Sequence, residues 1–97
     1  MFTSKQRSNL RGMAQTIQPV TQVGKGGISE NLLTTLSEEL EARELIKVSV
    51  LNNNDDDPKD VAVELAQGLN AEVVAVTGKK IVLYRRSSKK DFKHIEY

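Results

Sequence analysis

The sequence has no cysteine, no tryptophan, one histidine, two prolines and only four aromatic residues among 97. Without cysteine there is no disulfide, no thiolate metal centre and no cysteine nucleophile. The lone histidine, His94, stands among the last residues, where nothing in the pattern orients it as a general base. It is read as a solvated side chain. The aromatics, Phe2, Tyr84, Phe92 and Tyr97, form no ladder on which successive unstacked bases would sit, which argues against recognition of the RRM kind. No apolar run approaches the roughly 20 residues of a membrane span. Met1 to Arg7 lacks the apolar core of a signal peptide, so the expected compartment is the cytoplasm, with no membrane partner.

Charge is scarce in net terms and abundant locally. The formal net charge is +1. Residues 1–27 carry Lys5, Arg7, Arg11 and Lys25 and no acid, whereas residues 28–78 carry three bases against eleven acids. Residues 79–97 turn basic again, with Lys79, Lys80, Arg85, Arg86, Lys89, Lys90 and Lys93 against Asp91 and Glu96. A chain of this kind can fold into one basic and one acidic face, and a local basic patch is the footprint of a polyanion partner. Solvated charge with basic ends is the plainer alternative.

Apolar spacing orders the elements. Thr3 or Ser4 caps a first helix whose buried stripe is Leu10, Met13, Ala14 and Ile17, ended by Pro19. Arg7 and Arg11, four apart, project from the same side of it. Val20 to Val23 reads as a short strand. Ser29 caps a second helix, with Ile28, Leu32, Leu33, Leu36 and Leu40 facing inward as far as about Arg43. Leu45 to Leu51 is an inner strand, apolar on both faces. Asp57-Pro58 reads as the cap and first residue of a third helix buried through Val61, Ala62, Leu65, Ala66 and Leu69, with Gly68 or Asn70 near its end. The acids around it suit the helix dipole, and they lack the spacing of a calcium loop; no metal site is expected. Ala71 to Thr77 and Lys80 to Arg85 make a hairpin around Gly78-Lys79. Arg86 to Tyr97 is expected to fray. The order α-β-α-β-α-β-β implies one α/β domain, taken as two layers, over residues 1–86, with 87–97 a flexible basic tail.

One stretch calls for a ligand. Gly24-Lys25-Gly26-Gly27 lies between a strand and a helix, where backbone without Cβ atoms can approach a phosphate and a helix N-terminus attracts it. A Walker loop would place its lysine after the last glycine with a hydroxyl following, and a dinucleotide fingerprint would need a glycine where Ser29 stands. A Gly-x-x-Gly with an internal base matches instead the backbone clamp of KH modules, although there it joins two helices. A tight structural turn uses the same residues. Lys5, Arg7, Arg11, Lys79 and Lys80 are the candidates to extend a phosphate-binding surface around Gly24, Lys25, Gly26 and Gly27.

Four blocks in order, the last in two parts, resemble the CRM domain (chloroplast RNA splicing and ribosome maturation) in its short, YhbY-like bacterial form. They are Lys5-Gln6-Arg7 with Leu10-Arg11, Pro19 to Ile28, Glu44 to Val48, and Ala71 to Gly78 with Ile81 to Arg85, together spanning about residues 3–86. The resemblance implies a four-stranded mixed sheet covered by helices, similar to the C-terminal domain of bacterial translation initiation factor three. It also implies RNA binding through the Gly24–Gly27 loop and nearby basic residues, on ribosomal RNA in assembly of the large ribosomal subunit; no enzymatic activity and no cofactor are expected. Arg43 departs from the family, which commonly has histidine there; as a cation ending a helix it suits the dipole. Two other readings stay open. One is a module meeting a basic ribosomal protein through Glu38, Glu39, Glu41 and Asp55–Asp57; the other is an enzyme for a small phosphate ligand. Nothing requires more than a monomer.

Overall fold

A computed structural model describes residues 2–97, and its elements follow from local chemistry. Helix α1 (Ser4–Ala14) opens on a reciprocal cap. The Gln6 N–H donates to Thr3 Oγ1 at 3.1 Å, and the Thr3 N–H donates to Gln6 Oε1 at 3.0 Å. Strand β1 (Thr21–Val23) follows. In α2 (Glu30–Arg43) Ser29 Oγ takes the Leu32 N–H at 3.1 Å, and in α3 (Pro58–Leu69) Asp57 Oδ1 takes the Lys59 N–H at 2.9 Å. Asn70, left-handed at φ 54°, ends α3. Gly68 is not that cap. It lies inside α3, where a Cβ would meet the Leu33 side chain at 3.0 Å, so its bareness lets α2 and α3 close together.

Strands β2 (Leu45–Val50), β3 (Glu72–Thr77) and β4 (Lys80–Tyr84) complete a four-stranded mixed sheet of order β1-β2-β4-β3. β1 runs parallel to β2, and β4 is antiparallel to both β2 and β3. Three strands therefore end at one edge of the sheet, where the 24–27, 51–57 and 78–79 connections gather.

The α/β class and the mixed sheet match expectation; the two layers do not. On one face Ile46, Val48, Val50, Ile81 and Leu83 pack with Leu36, Leu40, Val61 and Leu65 of α2 and α3. On the other, Leu45, Val74, Val82 and Tyr84 pack with Leu10 and Ala14 of α1. Strands apolar on both faces need cover on both, so helices flank the sheet from either side. The expected stripe of α1 is narrower than drawn: Met13 is exposed, and Ile17 lies beyond the helix, only partly buried. A register shift in β3 between Val73 and Ala75 turns both Val74 and Ala75 toward α1.

Residues 87–97 reach back to the domain at both ends of the segment. Glu44 ends α2 with φ 65° and is fully buried, so its carboxylate needs partners. The last segment supplies them. The Ser87 N–H donates to Glu44 Oε2 at 2.7 Å, the Ile95 N–H to Oε1 at 2.8 Å, and His94 Nδ1 lies 2.5 Å from Oε2. Ser87 Oγ donates to the Glu41 carbonyl at 2.7 Å, and Ser88 Oγ to the Glu41 carboxylate. Tyr97 then meets Tyr84 and Phe2 edge-on, with centroids 5.1 and 5.5 Å apart. Three of the few aromatics thus close the α1 face.

Burial opposes the Glu44 charge, but hydrogen bonds from His94, Ile95 and Ser87 outweigh it and hold the carboxyl below the ordinary carboxylate range. A lowered folded-state value means stability that is complete above the unfolded value, about 4.3, and lost as pH falls through the lower one. Glu44→Gln should therefore destabilise the protein by about 1–3 kcal/mol at neutral pH in urea denaturation. The difference from wild type should shrink in acid; a difference independent of pH would contradict this assignment.

Candidate nucleic-acid interface

The Gly24–Gly27 segment is a β-turn closed by the Gly27 N–H donating to the Gly24 carbonyl at 3.0 Å. Gly27 has φ +70°, the conformation that side chains resist. Gly26 has no such constraint, and a Cβ there would touch nothing. Its bareness serves no internal packing. Lys25 and Gly26 are exposed, and among the described residues their N–H groups have no protein acceptor.

The helix N-terminus contributes less than its position in the sequence suggests. α2 begins at Glu30, after Ile28 and Ser29; the serine already caps it, and Glu30 places a carboxylate in its first turn. The turn's own amides and Lys25 are what remain for an anion. A neighbour the sequence reading passed over holds that turn. Buried Asn54 donates from Nδ2 to the Gly24 carbonyl at 2.9 Å and accepts the Asp56 N–H at 2.8 Å. The polar stretch after β2 is thus a brace for the glycine turn.

The candidate cations fall into groups. Lys79 and Lys80 sit at the same sheet edge as the turn, with the Lys79 carbonyl accepting the Val50 N–H at 2.7 Å. Arg11 and Lys80 share a groove between the end of α1 and the open part of the sheet, lined also by Lys47, Gln15, Thr77, Ala14, Ala75 and Val82. Three cations and no acid line it. Lys47 was missed because it lies within an apolar strand, yet Leu45, Lys47 and Ser49 alternate with buried Ile46, Val48 and Val50 and so face α1. Lys80 Nζ is anchored by donating to Ser49 Oγ at 2.5 Å.

Arg7 has another task. Its Nη1 donates to the carbonyls of Val73 and Val74, at 2.5 and 3.0 Å, where the β3 irregularity frees them, and its guanidinium lies 5.6 Å from the Phe2 ring centroid. It pins α1 to the sheet. Lys5 is exposed in the first turn of α1, about 9 Å of helix rise from Arg11 and on another side. The geometry does not bring it to the groove. Arg43 is exposed and bonds to Glu39 at 3.1 Å, an ordinary surface pair. Arg85 donates to the carbonyls of Leu69 and Ser37, tying α3 to α2.

The acidic belt is partly occupied as well. Glu39 faces Arg43, Glu41 holds Ser88, and Asp57 caps α3. Hydrogen bonds from the Ser88 hydroxyl and N–H hold Glu41 below its ordinary value. The acids lie toward α2 and α3, and the cationic groove lies on the α1 face. Among the described residues no helix is long and apolar enough to cross a membrane.

Comparison with known proteins bears on the fold and the family. Residues 2–85 match the family model described as CRS1 / YhbY (CRM) domain. The "Probable RNA-binding protein YqeI" of Bacillus subtilis is 48% identical over 96 residues, spanning 99% of this chain and 98% of its own. An "RNA-binding protein" of Haemophilus influenzae is 30% identical over 86 residues, spanning 89% of this chain and 87% of its own. The solution structure of a hypothetical Staphylococcus aureus protein superposes with a TM-score of 0.77 at 48% identity, covering 95% of each chain.

The turn separates its glycines by stability alone. Gly27→Ala should lower stability by about 1–2 kcal/mol, because alanine resists the left-handed conformation. Gly26→Ala should stay within about 0.5 kcal/mol. Denaturation midpoints of the two variants check this, and equal losses would contradict the turn geometry.

Proposed function

This chain belongs to the CRS1/YhbY (CRM) domain family, and from that premise we propose that it binds RNA through the Gly24–Gly27 turn and the cations beside it. The observation that carries the reading is the open turn: two exposed amides and Lys25, at the sheet edge that also carries Lys79 and Lys80. Gly24, Lys25, Gly26 and Gly27 approach the RNA backbone, while Lys79, Lys80, Arg11 and Lys47 neutralise further phosphates. Arg7 supports this surface from within, and Lys5 adds at most long-range attraction.

Such a surface reads backbone and shape, which suits folded RNA. The resemblance of the sequence blocks supports ribosomal RNA as the target and assembly of the large ribosomal subunit as the process, with the cytoplasm as the place. The relatives' names speak of RNA binding and support the coarser part of this reading. The enzyme alternative finds little support in shape. The groove beside α1, at about 160 Å³, is smaller than the roughly 300–1,000 Å³ of small-molecule sites, and the larger depressions are shallower and open to solvent.

A protein partner on the opposite side is the second reading. Val63, 53% exposed, stands on α3 with Asp56, Asp60 and Glu64 around it, a setting for a basic protein segment. A salt-sensitive complex formed without RNA would support it.

The test of the main reading is the double variant Lys25→Ala, Gly26→Asp, which the open space at Gly26 allows to fold. It should weaken binding to structured RNA by roughly tenfold or more and reduce the slope of log affinity against log salt by about one. Unchanged affinity in the folded variant would remove the turn from the interface.

A further inference from the structure

We infer that the groove beside α1 is a pocket for one unpaired nucleotide, its base on the groove floor and its phosphates on the surrounding cations. The inference rests on the RNA reading above and adds a site to it.

The groove's chemistry is divided. Its floor is Ala14, Ala75 and Val82, and its rim carries Arg11, Lys47 and Lys80. A site for phosphates alone gains nothing from an apolar floor, because a dianion prefers water to alanine and valine. A site for an apolar ligand alone has no use for three cations. A nucleotide is apolar on the faces of its base and anionic in its backbone, and both halves of the groove then have a partner. Charge complementarity fixes the occupant as a polyanion segment, since no acidic side chain lines the groove.

Size narrows the choice. At about 160 Å³ the groove lies below the roughly 300 Å³ at which whole small-molecule ligands begin to be enclosed. It takes a base while leaving sugar and phosphates outside, where the cations are. Gln15 at the edge offers an amide with donors and an acceptor for the base edge. Lys80 is already oriented by Ser49 and keeps further N–H groups free, and Lys47, half-buried in β2, stands at the groove with its stem against the sheet. A base inside a duplex cannot enter such a depression, so the groove selects bulged, looped or terminal nucleotides. The few aromatics of the chain do not bear on it, because small side chains on a strand surface leave the space that a ladder of rings would fill.

The experiment compares binding of a fully paired RNA hairpin with binding of the same hairpin carrying one bulged nucleotide, by fluorescence anisotropy on the intact protein. Wild type should prefer the bulged RNA by roughly five- to tenfold. Ala75→Met, which fills the floor, and Lys47→Met, which removes a rim charge but keeps the stem, should each bring that ratio close to one, with urea midpoints confirming that they fold. The turn variant Lys25→Ala, Gly26→Asp should weaken both RNAs together and leave the ratio standing. A wild type without preference, or folded groove variants that keep it, would overturn the inference while leaving the turn as an RNA site. Failure of wild type to bind either RNA would remove the RNA reading and the groove with it.

Discussion

The two central strands, β2 and β4, are apolar along the whole of one face and over part of the other, and everything else in the molecule answers that constraint. One face is covered in full by α2 and α3. The other is covered by α1, whose 11 residues reach about 16 Å, and by the closing aromatics Phe2, Tyr84 and Tyr97. That cover stops short. Where it stops, β2 and β4 present Lys47 and Lys80 instead of Leu45 and Tyr84. The cationic groove is the uncovered end of a sheet whose covered end is core.

The same edge of the sheet gathers the connections that follow β1, β2 and β3. A parallel β1–β2 pair with an antiparallel hairpin beside it makes this unavoidable. The glycine turn, its Asn54 brace and the Lys79 turn are therefore neighbours by topology, not by sequence. Acidic side chains enter the same end from the start of α2, through Glu30, and from the α3 side, through Asp55 to Asp57. An RNA would approach from the α1 side, where like charge does not oppose it.

Much of this was legible in the chain because caps and periodicity are local. Thr3, Ser29 and Asp57-Pro58 mark helix starts by the groups their side chains can satisfy, and each does so. Periodicity tells which residues are buried but not against which face, which is why α1 was assigned to the wrong number of layers. The contacts of residues 87–97 with the domain were hidden for a different reason. They depend on Glu44, a carboxylate whose burial no pattern announces, sitting at the end of a helix where charge is ordinarily solvated. Arg7 reads as a surface cation because the carbonyls it serves exist only through the irregularity of β3. Lys47 was available to a closer reading, since its strand alternates strictly around it. Asn54 and the Gly24 carbonyl it serves lie 30 residues apart in sequence, and that contact was not.

The central claim is that RNA meets the α1 side of the glycine-turn edge. Ultraviolet crosslinking in cells, with both the crosslinked peptides and the crosslinked RNA positions identified, tests it most directly. The account predicts peptides containing Lys25, Lys47 or Lys79–Lys80, joined to discrete positions of large-subunit ribosomal RNA in the precursor fraction. Crosslinks concentrated on α2 and α3, or scattered over unrelated RNAs, would contradict it.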